Sequence, residues 1–183
     1  MARLPYLDQE DLAEEDRELL ARPANLFRLL VHSPDAYRRF GALGGWIRTG
    51  STLDPRLREM AILQVGYLTR CEYEYSHHIT LGRRFGVSDD DIRAITAETA
   101  GEQTALDELD RAVLRLAREM TTELRGSDEA FETVRARLSE EHVIDLLMTV
   151  AFYNLVVRLL FTLDIDLEDD YRALLTEFPF ADA

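Results

Sequence analysis

Between Glu59 and His78 the chain gathers its one cysteine, two of its four histidines and three carboxylates, in otherwise apolar surroundings. Glu74 and His78 are four residues apart, so one helical face presents both. Cys71 lies three before Glu74 and seven before His78, which extends the stripe by a turn. Glu59 precedes them on another helix, among Met60, Ala61, Ile62 and Leu63, where a carboxylate is costly to bury without a partner. An antiparallel hairpin of the two helices would return Glu59 to the first turns of the second. The chemistry these types offer is proton transfer. His78 can carry a proton near neutral pH. Glu59 or Glu74 can orient the imidazole or act as a base if burial raises its pKa. Cys71, at a helix N-terminus beside Arg70, is placed to favour a thiolate. Tyr73, Tyr75 and Arg70 are the candidate substrate contacts, although the tyrosines equally suit a core or an interface. Arg58 and Arg158 join Arg70 as cations for a substrate carboxylate.

A metal reading starts from Glu74-x-x-His77, the spacing used by di-iron helix bundles. Such a site needs a second copy, and the chain has none. A mononuclear site from Glu59, Glu74 and His78 has no specific signature. One cysteine excludes an intrachain disulfide and multi-cysteine zinc or iron–sulfur sites. No glycine-rich phosphate loop or nucleophilic-serine elbow is present. No metal and no cofactor are expected.

The elements that must position these groups are helical. Caps and prolines punctuate the chain. Pro23 ends a weakly amphipathic helix over 8–22, following an extended arm. Asn25 caps a short apolar turn. Ser33-Pro34 starts a helix that runs to Gly50, and Asp54-Pro55 opens one apolar on more than one face, hence central. After a break at Thr69-Arg70, a helix spans 71–85. Ser88 and the following aspartates cap a helix over 92–99. A strongly periodic helix begins at Thr104 or Asp107, and Ser127 caps a short one. Ser139 caps the longest apolar stretch, Val143 to Leu163. No two-residue alternation or hairpin signal appears. The expected fold is all-α, a compact bundle of about eight helices in a single domain over 1–183. It comprises an N-terminal arm and helix (1–23), a core (24–165) and an acidic tail (166–183).

The 183 residues carry 21 arginines and no lysine against 35 acids, a net charge of −14. A basic footprint is missing, so neither nucleic acid nor a membrane surface is an expected partner. The start has no apolar signal-peptide core, and the expected location is cytoplasmic. The apolar stretch near the C-terminus exceeds the needs of one small core, which points to self-association.

Leu57-Arg58-Glu59, Cys71 twelve residues later, Glu74, His78 and the Gly86-Val87-Ser88-Asp89 break resemble the carboxymuconolactone decarboxylase and alkylhydroperoxidase-D-like superfamily. Asn25-Leu26-Phe27, His32-Ser33-Pro34 and Tyr153-Asn154 extend the resemblance over roughly residues 24 to 165. It implies an all-α fold assembling as a homotrimer or hexamer. It also implies that Glu59 and His78 match the relay glutamate and histidine of the peroxidase branch, and Cys71 its first cysteine. Glu74 stands where that branch has its second, peroxide-attacking cysteine, so a two-cysteine cycle cannot run here. The decarboxylase branch needs no cysteine. The leading expectation is therefore acid–base chemistry, a decarboxylation or related lyase or isomerase reaction, on a small organic acid or lactone. Glu59 and His78 would be the acid–base pair, Glu74 orienter or second base, and Cys71 an auxiliary pocket residue. The alternatives are a thiol-dependent peroxide reductase using Cys71 and a non-catalytic ligand-binding or assembly scaffold.

Overall fold

The computed structural model describes residues 1–181. Among them there are nine α-helices and no strand. They are α1 (Asn25–Leu30), α2 (Pro34–Gly45), α3 (Pro55–Leu68), α4 (Glu72–Arg84), α5 (Asp89–Thr99), α6 (Glu108–Thr122), α7 (Asp128–Arg135), α8 (Glu140–Thr162) and α9 (Arg172–Glu177).

Helix α3 is the axis. Every residue from Leu57 to Tyr67 is buried, and α4, α5, α6 and α8 all pack on it. Asp54 starts it by accepting the Arg56 and Leu57 amides, with Pro55 supplying the first helical φ. Arg56 then spans to Asp91 on α5 (2.6 Å) and Asp110 on α6 (2.9 Å), fixing two neighbouring helix starts to its own. Ser88, Asp107, Ser127 and Ser139 each cap the following helix through a side-chain oxygen.

The break at Thr69-Arg70 is a tight turn in which Arg70 takes a φ of +54°. The chain then reverses, and α3 and α4 run antiparallel at very close range. A Cβ on Gly66 would lie 3.1 Å from the Tyr75 backbone, so glycine is what lets the two helices approach.

Several expectations are corrected. The segment 8–22 is not one helix but two 3₁₀ turns, Gln9–Asp11 and Glu14–Leu20, with Leu12 and Leu20 buried. Too few apolar residues at helical spacing are available there to drive a longer element. Ala24, not Asn25, occupies the cap position of α1. The Asn25 amide instead donates to Glu168 (2.8 Å). Ser33 stands before Pro34 without making a side-chain cap. Beyond Gly45 the helix widens into a π-turn, Trp46–Gly50. The acidic C-terminal segment packs against the rest of the chain. Asp166 and Glu168 bind the N-terminal segment, α9 lies along α4, and Phe178 is buried. Asp182 and Ala183 lie outside the described residues.

Helix α8 is long and apolar enough to cross a bilayer, but it is a core helix here, with Asp145, Thr149 and Asn154 buried on it. Ile144, Met148 and Leu155 leave an exposed apolar line on its outer face. Replacing Gly66 by alanine should cost about 1–3 kcal/mol in chemical denaturation, because the Tyr75 backbone must retreat. An unchanged midpoint would show that the α3–α4 contact is looser than described.

Candidate active site

The hairpin brings Glu59 and His78 together in a volume closed to solvent. Glu59 is 0% exposed and His78 4%. His78 Nδ1 lies 2.7 Å from Glu59 Oε2, and Nε2 lies 3.0 Å from Glu74 Oε1. Both ring nitrogens thus face carboxylates, and a doubly protonated ring donates to each. The other oxygen of Glu59 accepts from Arg58 Nε (3.1 Å) and Nη2 (2.9 Å). Arg58 itself is buried, its guanidinium 4.6 Å from the centre of the Phe85 ring. Two cationic and two anionic side chains therefore form a chain, Arg58–Glu59–His78–Glu74, whose formal charges cancel.

The electrostatics follow. Burial would push the His78 imidazole down, but the carboxylates of Glu59 and Glu74 outweigh it and raise its pKa to about 9. Burial also opposes ionisation of Glu59, yet His78 and Arg58 hold its carboxyl below the ordinary value. His78 is thus an acid, not a free base, at neutral pH. Tyr153 of α8 closes the site with its ring edge-on to His78, centroids 4.8 Å apart. Its hydroxyl is buried and has no hydrogen-bond partner.

The remaining expected site residues are distributed differently. Cys71 caps α4 as anticipated but is 2% exposed. Burial pushes its thiol up to about 12, outweighing the helix amides, so the expected thiolate is corrected to a protonated thiol. Arg70 does not assist it. Its guanidinium donates to the Ala181 carbonyl (2.8 Å) and lies over Phe180. Cys71, Arg70 and Tyr73 line a small cavity of about 280 Å³ with Leu160 and Leu167, to which none of Glu59, Glu74 and His78 contributes. The Tyr73 hydroxyl accepts from the Leu26 amide and donates to Glu168 (3.1 Å), a structural tie rather than a free contact. Tyr75 is fully buried against Phe180 and Tyr67.

His77 points away from Glu74. It stacks between Tyr73 (4.1 Å) and Tyr171 (3.7 Å) and meets Glu168 at 3.3 Å. The Glu-x-x-His spacing therefore does not converge. Among the described residues no three histidine, cysteine or carboxylate side chains are grouped to hold a metal ion. Sequence reasoning assigned Arg58 only to a substrate carboxylate, whereas it clamps Glu59. Arg158 is likewise occupied, bonding Asn154 Oδ1 at 3.0 Å. The contact of Tyr153 with His78 was foreshadowed only by the Tyr-Asn pair.

Comparison with known proteins bears on the fold that carries this site. The model of the carboxymuconolactone decarboxylase family matches residues 34–119, a segment that holds Arg58, Glu59, Cys71, Glu74 and His78. No curated protein matches the chain in sequence. Among solved structures, a peroxidase-related protein with an alkylhydroperoxidase AhpD core from Ralstonia eutropha JMP134 is similar at a TM-score of 0.77. It is 21% identical, over 93% of this chain and 94% of that one. The debrominase Bmp8, as a cysteine-to-alanine variant in complex with 2,3,4-tribromopyrrole, is similar at a TM-score of 0.79. It is 20% identical, over 97% of this chain and 100% of that one. A peroxidase-related protein from Silicibacter sp. TM1040 gives 0.73 at 19% identity, over 92% of each chain. Residues 34–119 thus match the carboxymuconolactone decarboxylase family model, and the chain has the fold of the alkylhydroperoxidase-D-like structures.

The pKa directions set a pH window. The raised pKa of His78 gives stability that is complete below its ordinary 6.5 and lost as pH rises through about 9. The lowered pKa of Glu59 gives stability that is complete above its ordinary 4.5 and lost as pH falls through the depressed value. Both contributions are whole only between pH 4.5 and 6.5. His78→Asn should lower stability in that window by about 3 kcal/mol and flatten the alkaline decline. Melting curves from pH 5 to 10, wild type against variant, check this, and parallel curves would contradict it.

Proposed function

We propose that the chain is an enzyme of acid–base type that acts without metal or nucleotide, in the manner of the decarboxylase branch of the superfamily it resembles. Its reaction is a decarboxylation, or a lyase or isomerase step of related chemistry, on a small organic acid or lactone. The observation that carries this reading is the imidazole held between two carboxylates out of water. In such a decarboxylation the carbon–carboxylate bond breaks, carbon dioxide leaves, and the electron pair stays on the substrate as an enolate. That carbon then needs one proton. His78 holds one on Nε2 directly against Glu74, so Glu74 is suited to pass it on and His78 to replace it, while Glu59 and Arg58 keep the ring charged and oriented.

The Cys71 peroxidase reading has less support, despite the peroxidase-related names of two structural neighbours. A thiol with a pKa near 12, without a partner cysteine, is a poor attacking group at neutral pH. Release of carbon dioxide from a panel of lactone carboxylates and unsaturated diacids tests the proposal. A substrate that turns over in heavy water should gain one deuterium where its carboxylate was. His78→Asn and Glu74→Gln should each reduce kcat/KM by about 10²-fold or more, and Cys71→Ser should leave it nearly unchanged. Turnover that survives His78→Asn, or that needs Cys71 and a reductant, would overturn this assignment.

A further inference from the structure

The outward face of α8 carries a repeat that none of the described residues covers. Glu141, Ile144, Met148, Ala151, Leu155 and Arg158 follow one another at intervals of three, four, three, four and three residues, and all six are exposed. That is the spacing of a coiled-coil seam, a narrow stripe along one side of a helix. Ile144 is 57% exposed and Leu155 46%, in a chain of which 31% is charged. Between Glu141 and Arg158 the only acidic or basic residue is Asp145, and it is buried. The stripe is therefore free of exposed charge along about 26 Å, at 1.5 Å per residue, and carries opposite charges at its two ends. Neither end charge has an ion-pair partner within the chain among the described residues. Arg158 uses only Nη1, which bonds Asn154.

We propose that this face binds the same face of a second copy of the chain, with the two α8 helices antiparallel about a two-fold axis. The stripe is complementary to its own reverse. Turned end to end, Glu141 meets Arg158, Ile144 meets Leu155, and Met148 meets Ala151, a large side chain against a small one. Each contact occurs twice, as a two-fold interface requires. Parallel helices would instead set Glu141 on Glu141 and Arg158 on Arg158, and would align the two helix dipoles rather than oppose them. The apolar pairs supply affinity by leaving water. The ion pairs at the rim add little affinity but select direction and register. A single helix pair lies at the small end of stable interfaces, so the association should be micromolar and reversible. Tyr153 points inward from α8 onto His78, so this outer face can be altered without touching the charged chain.

Sedimentation equilibrium at micromolar concentrations reads the association. The wild type should form a reversible dimer, or an even-numbered assembly that contains it. Leu155→Glu should abolish the association while leaving the helical circular dichroism unchanged, because the residue is exposed. Glu141→Arg and Arg158→Glu should each weaken it about tenfold. An equimolar mixture of those two variants should restore it, since each supplies the charge that the other lacks. Cross-linking then reads the direction. With oxidised glutathione, the double variant Ile144→Cys, Leu155→Cys should give a covalent dimer on a denaturing gel. Ile144→Cys alone should not, because its two copies would lie roughly 16 Å apart along the helix axis. Cys71 is buried and stays out of the exchange. A monomer or trimer at every concentration, an assembly indifferent to Leu155→Glu, a mixture no tighter than its components, or a covalent dimer from Ile144→Cys alone would overturn the proposal.

Discussion

An imidazolium fixed between two buried carboxylates is the interaction on which the rest of this structure turns. A lone charge at Glu59 would be intolerable in the interior, and so would a lone charge at His78. Together with Arg58 and Glu74 they form a short chain in which each charged group is bonded to one of opposite sign. That chain explains why α3, buried along most of its length, can carry an arginine and a glutamate side by side near its start. It also gives His78 a proton at pH values where an ordinary histidine has lost its own. The chemical capacity of the site and the pH dependence of its stability have the same origin.

The scaffold serves this chain of charges by enforcing one hairpin. The Arg70 turn reverses the backbone, Gly66 lets α3 and α4 approach, and Arg56 ties the beginning of α3 to α5 and α6. Helix α8 then covers the imidazole with the edge of Tyr153. The C-terminal segment closes the other side of α4 through Glu168, Tyr171 and Phe178, and it engages His77 in doing so. Two adjacent histidines thus have opposite duties, one inside the charged chain and one in a clasp between segments. Their different faces of α4 follow from the 100° that separates neighbours on a helix.

Much of this was legible in the sequence, for reasons that differ by residue. Glu59 stood out because a carboxylate in an apolar run needs a partner, and the spacing of Glu74 and His78 placed both on one face. The cap residues Asp54, Ser88 and Ser139 announced helix starts because local hydrogen bonding decides those positions. Tertiary burial was not legible. Cys71 carries every local sign of a reactive thiol, and only its enclosure by distant residues reverses the sign of the pKa shift. Arg70 was diverted by a backbone carbonyl 111 residues away. The packing of the acidic tail was not legible either, because composition does not reveal that its carboxylates have partners at the other end of the chain.

The charge on His78 is the claim that can be tested most directly. With ¹⁵N-labelled histidine, both ring nitrogens of His78 should resonate as protonated, hydrogen-bonded donors at pH 7.5, and should titrate together near pH 9. A neutral ring at pH 7.5, with one nitrogen unprotonated and a midpoint at or below the ordinary 6.5, would contradict the account.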